Sequence, residues 1–192
     1  AGSVGPYGAY LADGSEYRGD YNVSKKNLLE FHLKRIQLLD TSNCDFIALE
    51  TIPSFFETQV LSTILKTIKT PSWISFSCKD NYHLSDGTTL KKAASLLKNH
   101  PSIFAIGVNC TAPKYISSLI QELKSIKSDK KIIVYPNTGD SYNVQSKTWV
   151  KNSNPKYFTE MSKEWVFLGA DIVGGCCQIG PSHIKSLVKN NK

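Results

Sequence analysis

Three of the five cysteines in this 192-residue chain stand where a metal ion could use them. Cys176 and Cys177 are adjacent, with Gly174-Gly175 before them and Gly180-Pro181 after, and Cys110 lies 66 residues upstream. Three thiolates on a tetrahedral zinc leave one position open, the arrangement of a catalytic rather than a structural site. A free thiol has a pKa of about 8.5 and is mostly protonated at neutral pH, whereas a metal-bound thiol is deprotonated outright. An open position would therefore hold a substrate thiol as its thiolate. Three anionic sulfurs also make the centre a poor Lewis acid for water, which favours attack by sulfur on an electrophilic methyl group over hydrolysis.

Adjacent residues of a regular strand point to opposite faces, so Cys176 and Cys177 can share one ion only if the backbone turns there. The flanking glycines supply that freedom. The bland alternative for a buried cysteine is a small hydrophobe, and Cys44 and Cys78 are read that way. A vicinal Cys176–Cys177 disulfide is a further alternative, disfavoured by the strained ring it needs. An odd number of cysteines does not resemble the paired framework of a small secreted domain, so reduced thiols and a cytoplasmic setting are expected.

The elements that must position these cysteines read as alternating strands and helices. Asp45 to Glu50 forms an apolar strand. Ser54 with Glu57 three residues on is a capping-box signature, and Val60, Leu61, Ile64, Leu65 and Ile68 follow at helical spacing. The pattern returns at Trp73 to Ser77 with a helix over Leu90 to Leu97, and at Ile103 to Val108 with a helix over Ile116 to Leu123. It returns again at Ile132 to Tyr135, with a long loop through Trp149 and a helix around Phe158 to Phe167. Asp171 to Val173 precedes a last helix from Ser182 to Val188. With Ala1 to Val4 and a helix around Leu28 to Leu39, the total is six βα units. An open doubly wound sheet and a (β/α)8 barrel both accommodate this series, although no G-x-G-x-x-G follows a strand. The placement of Glu50, Cys78, Asn109-Cys110, Pro136-Asn137 and Cys176-Cys177 at strand ends favours the barrel, whose active site lies on that face.

The 41% hydrophobic content predicts one domain with a real core. The net charge of +7 comes mostly from dispersed lysines and reads as solvated surface, without the basic stripe of a nucleic-acid binder. No run approaches the ~20 apolar residues of a membrane span, and no leader pattern opens the chain. Small molecules are the expected partners; oligomeric state is not legible.

Five segments, in this order and spacing, resemble homocysteine S-methyltransferases, particularly the branch using S-methylmethionine or S-adenosylmethionine. They are Gly2-Ser3-Val4-Gly5-Pro6-Tyr7-Gly8, Glu50-Thr51-Ile52-Pro53, Gly107-Val108-Asn109-Cys110, Tyr135-Pro136-Asn137-Thr138-Gly139 and Gly174-Gly175-Cys176-Cys177. The resemblance covers essentially the whole chain. It implies a zinc-dependent (β/α)8 barrel with Cys110, Cys176 and Cys177 as ligands. It implies further that Glu50, by its residue type equally a helix-capping carboxylate, meets the amino group of homocysteine, and that Asn109 orients a ligand or a substrate. His32, His83, His100 and His183 match no ligand position and are read as surface or helix residues. The first βα segment and the whole second unit of the family are absent, and the chain starts at Ala1. The expectation is therefore an N-terminally truncated α/β TIM barrel, residues 1–192 forming one domain. Alternatives are an inactive zinc-binding remnant, or methyl transfer from betaine or cobalamin. Tyr7, Tyr10 and Tyr82 are candidates to line a cation site, and no cobalamin-binding module is seen.

Overall fold

The computed structural model describes residues 1–139, 141–143, 148–150 and 155–190. Six parallel strands form one sheet in the order β1-β2-β3-β4-β5-β8: β1 Gly2–Val4, β2 Ile47–Ile52, β3 Ser72–Phe76, β4 Ile103–Asn109, β5 Lys131–Tyr135 and β8 Ile172–Val173. Helices α2 (Lys25–Asp40), α3 (Phe55–Ile64), α4 (Leu90–Leu97), α5 (Pro113–Ser125), α6 (Pro155–Leu168) and α7 (Pro181–Asn190) each pack beside the next along one side of the sheet. This is an incomplete (β/α)8 barrel of six units. No helix of the described residues is long and apolar enough to cross a membrane.

Strands buried on both faces read as continuous apolar runs. The helix-facing positions Val4, Leu49, Ile74, Phe76, Ile106, Val108 and Val134 are all buried. The register pairs Ser3 with Ala48, Ala48 with Trp73, Trp73 with Ala105 and Ala105 with Lys131. Alternate residues of the strands therefore share the inner face, and polar side chains collect there toward the strand ends. Gly107 sits on that face because a Cβ would lie 1.6 Å from the carbonyl oxygen of Ile133.

The helices start where local chemistry lets them. Ser24, Ser54 and Thr89 accept hydrogen bonds from the N–H groups of Asn27, Glu57 and Lys92, and Pro113 opens α5. The helix after β2 ends at Ile64 and tightens into a 3-10 turn, Leu65–Thr67, so the periodicity through Ile68 overstates it. The segment read as a long loop through Trp149 contains a two-stranded antiparallel ladder, β6 (Ser141–Asn143) with β7 (Thr148–Val150).

Two sequence readings need correction. Glu57 does not complete the capping box with its side chain, and His100, buried beyond the end of α4, is neither a surface nor a helix residue, whereas His32 is a helix residue as expected and is buried. The Glu57 carboxylate instead accepts from Tyr7 N–H at 2.7 Å and meets His32 Nε2 at 2.6 Å, while the Tyr21 hydroxyl pairs with its other oxygen. His32 lies on α2. His100 follows α4, with Nε2 3.0 Å from the carbonyl oxygen of Ser62. The Glu57 cluster fastens both ends of the segment after β1, which contains α1 (Tyr7–Leu11), to α2 and α3.

Burial raises the Glu57 carboxyl from an ordinary 4.5 to about 8, opposed by the Tyr7 N–H, and pushes His32 down to about 4. The His32 contribution to stability is lost as pH falls from 6.5 toward 4. The Glu57 contribution is lost as pH rises from 4.5 through 8. Above about pH 7, where an unfolded histidine is mostly neutral as well, the Glu57 difference dominates, so stability declines toward pH 8 as pH rises, by at most one proton's slope. Chemical denaturation across that window should show this decline in the parent protein and its loss in Glu57→Gln.

Candidate metal centre

The sheet delivers the three cysteines from two strand ends with β5 between them. β4 ends at Asn109, and the chain turns at Cys110, whose φ is 46° and whose N–H donates to the Tyr135 carbonyl at 3.3 Å. β8 ends at Val173, after which Gly174-Gly175 lead to Cys176. The N–H of Cys176 donates to the Pro136 carbonyl at 2.8 Å, and the Cys177 carbonyl accepts from Thr138 N–H at 3.2 Å. A turn closed by Ile179 N–H on the Cys176 carbonyl, with Gln178 at φ 67°, takes the place of a straight strand. Gly175 must be glycine, since a Cβ would lie 2.2 Å from Ile179 Cγ2. The bend required between the vicinal cysteines is present, and both thiols reach Cys110.

The three sulfurs lie within 4.8 Å of one another. Cys177 Sγ is 3.6 Å from Cys110 Sγ and 3.9 Å from Cys176 Sγ. A tetrahedral zinc with Zn–S bonds of ~2.3 Å spaces its sulfurs about 3.8 Å apart, so these separations suit one ion. Cys110 and Cys176 are joined as a disulfide, and the vicinal pair is not. Three thiolate ligands require all three cysteines in their reduced form. Cys78 is buried and its thiol is pushed up by desolvation, and Cys44 packs against the core, so neither joins the cluster.

Below the sulfurs runs a chain of inward polar groups. The buried Asn109 accepts from Thr51 N–H at 2.7 Å through Oδ1 and donates from Nδ2 to Thr51 Oγ1 at 2.7 Å. Nδ2 also lies 3.9 Å from Cys176 Sγ. The backbone donor of Thr51 fixes which end of the amide is oxygen. Thr51, a β-branched residue, is held at φ 63°, where the register of β2 against β3 shifts. Glu50, the preceding residue, accepts from Ser3 Oγ at 2.5 Å and from the Tyr135 hydroxyl at 3.0 Å. Tyr135 also meets Ser75 Oγ at 2.5 Å and accepts from Trp73 Nε1 at 3.0 Å. Glu50 is therefore an inner-face carboxylate, not a helix cap.

Sequence reasoning named Glu50 and Asn109 but missed Ser75, Trp73, Thr51 and the Tyr135 side chain. No local signal marked Ser75, one of two serines in β3. Also unforeseen was Tyr17, on the turn after α1, whose phenol is raised by burial and then by the nearby Cys177 sulfur. Tyr7 and Tyr10 cluster with Phe31, Tyr7 also with Tyr21, whereas Tyr82 packs on His83, so the three tyrosines do not assemble into one cage.

A family model for homocysteine S-methyltransferase matches residues 1–190. The chain belongs to the homocysteine S-methyltransferase family. It is 45% identical over 188 residues to homocysteine S-methyltransferase YbgG of Bacillus subtilis, covering 97% of this chain and 59% of that one. It is 40% identical over 189 residues to the homocysteine S-methyltransferase of Escherichia coli, covering 97% and 61%. Its structure is similar to the homocysteine methyltransferase MmuM from Escherichia coli, with a TM-score of 0.85 to the metallated form at 37% identity, over 99% of this chain and 60% of that one. Similarity to the oxidized form of MmuM is equally close, with a TM-score of 0.86. This family member thus spans about three fifths of the length of the relatives it matches.

Metal content measured per chain tests the assignment of the sulfurs. Protein purified under reducing conditions and offered zinc should hold about one ion per chain. Cys110→Ser should lose most of it, and oxidation before loading should prevent uptake. Undiminished zinc in Cys110→Ser would remove Cys110 from the site.

Proposed function

We propose that the protein transfers a methyl group from a sulfonium donor, S-methylmethionine or S-adenosylmethionine, to the thiol of L-homocysteine, giving methionine. The observation that carries this reading is the convergence of Cys110, Cys176 and Cys177 above an inward carboxylate. Zinc held by the three reduced cysteines would supply an open position at which a substrate thiol gives up its proton.

The chain's own residues then do the binding and orientation. Glu50, on the inner face and aimed by Ser3 and Tyr135, accepts the ammonium group of homocysteine. Asn109 keeps Thr51 turned and stands beside Cys176, holding the carboxylate and the sulfurs in one frame. In the transfer, the homocysteine sulfur forms a bond to the donor's methyl carbon as the carbon–sulfonium bond breaks. The electron pair stays on the donor sulfur, which becomes a neutral thioether, and the thiol proton goes to solvent. The substrates are small molecules, in keeping with a cytoplasmic enzyme.

A selenol acceptor is a second reading supported by kinship. The chain is 38% identical over 195 residues to the selenocysteine Se-methyltransferase of Brassica oleracea var. italica. A selenol ionises more readily than a thiol and suits the same displacement.

Zinc-loaded, reduced protein should form methionine from homocysteine with one or both sulfonium donors and not with betaine. No turnover from folded, metal-loaded chain would favour the inactive remnant instead. In Glu50→Gln, loss of a charge-assisted hydrogen bond of about 1.5–3 kcal/mol should raise KM for homocysteine roughly 10- to 100-fold, with zinc content unchanged. An unaltered KM would exclude Glu50 from the substrate site.

A further inference from the structure

Tyr135 is tied to the candidate site at both ends. Its carbonyl oxygen accepts from Cys110 N–H at 3.3 Å, at the residue where β4 turns to present its thiol. Its hydroxyl, reaching across the inner face from β5, donates to Glu50 Oε2 on β2 at 3.0 Å. No other residue of the network touches both the backbone of a cysteine of the cluster and the Glu50 carboxylate.

The protons of this network have little freedom. Trp73 Nε1 can only donate, and it donates to the Tyr135 hydroxyl oxygen at 3.0 Å. A carboxylate can only accept, so the single Tyr135 proton is the one available to Glu50 across their contact. Ser75 Oγ lies 2.8 Å from Asn109 Oδ1 and 2.5 Å from the Tyr135 hydroxyl, and its one proton serves only one of them at a time. Two patterns result. When Tyr135 donates to Glu50, Ser75 donates to Tyr135. When Ser75 donates to Asn109, Tyr135 donates to Ser75 and releases Glu50 Oε2. The phenol oxygen is the junction in both, and Trp73, itself packed edge-on against Phe104, holds it in place. The same ring lines a cavity of about 190 Å³ with Trp73, Ile133, Ile172, Gly174 and Gly175, beside the turn that leads to Cys176.

We propose that Tyr135 is a positioning residue that sets the direction of the Glu50 carboxylate relative to the three cysteines, and so confers selectivity for thiols carrying an α-amino group. This rests on the reading of Glu50 as the acceptor of that amino group. Tyr135 acts through Glu50, by removing the rotational freedom of a carboxylate whose other oxygen is held by the exposed Ser3.

A double-mutant cycle separates this role from a structural one. Zinc-loaded wild type, Tyr135→Phe, Glu50→Gln and the double variant are titrated calorimetrically with homocysteine and with 4-mercaptobutanoate, which keeps the thiol and carboxylate but lacks the amino group. The wild type should prefer homocysteine. Tyr135→Phe and Glu50→Gln should each cut that preference at least fivefold while leaving the affinity for 4-mercaptobutanoate within about twofold. Tyr135→Phe in the Glu50→Gln background should change the preference by less than twofold. Equal weakening of both thiols by Tyr135→Phe, or an additive effect in the double variant, overturns the proposal. If Glu50→Gln alone leaves the preference intact, the assignment of Glu50 fails and this proposal falls with it. Circular dichroism and zinc content of Tyr135→Phe matching the parent exclude misfolding as the cause.

Discussion

The amide of Asn109 satisfies both polar groups of one strained residue from the far side of another strand. Thr51 sits at φ 63°, a conformation that a β-branched side chain adopts only under constraint, at a cost on the order of 1–3 kcal/mol. Asn109 takes its N–H and supplies a donor to its hydroxyl, both at 2.7 Å, from a position almost wholly shielded from water. Buried polar groups are costly unless paired, so the amide and the bulge stabilise each other. The consequence reaches both ways along the chain. Glu50 precedes the bulge, and Cys110 follows Asn109 with a positive φ of its own. One side chain thereby holds the carboxylate of β2 and the first cysteine of β4 in a single frame.

That frame stands on a sheet whose two faces differ. Outward positions are apolar and closed off by helices, which makes the strands rigid supports. Inward positions near the strand ends carry Ser3, Glu50, Ser75, Asn109 and Tyr135, linked from β1 to β5 by short hydrogen bonds. Parallel strands make such convergence automatic, because every strand ends on the same side and every following loop begins there. The cysteines exploit this: two strand ends, separated by one strand, bring residues 66 positions apart into sulfur contact.

The segment after β1 brings a second, independent support. Its ends are fastened by buried Glu57, through Tyr7 N–H and the Tyr21 hydroxyl, while His32 closes the cluster from α2. Between those ends the chain runs over the strand termini, where Ser77 Oγ donates to the Glu16 carbonyl at 3.3 Å and Tyr17 meets Cys177. A buried carboxyl group on one helix thus fastens the segment that carries Tyr17.

The sequence alone determined the strand and helix series, because apolar runs and helical periodicity are local consequences of burial, and it singled out Cys110, Cys176 and Cys177 because glycine-flanked thiols at strand ends are chemically unusual. Glu50 and Asn109 were legible through motif resemblance, not through their own types, since a carboxylate before a helix reads equally as a cap. What only the tertiary structure decided was partnership across strands. Nothing local distinguishes Ser75 from a surface serine, marks Tyr135 as the link between Glu50 and Cys110, or shows that Glu57 turns from its helix cap to a buried histidine. Those pairings join residues from different strands and helices, and the register of the sheet and the closeness of buried groups select them. The pairing of Cys110 with Cys176, rather than of the vicinal cysteines, was set in the same way: a turn fixed by Gly175 and Ile179 and a backbone bond from Cys110 to Tyr135 determine which sulfurs face each other.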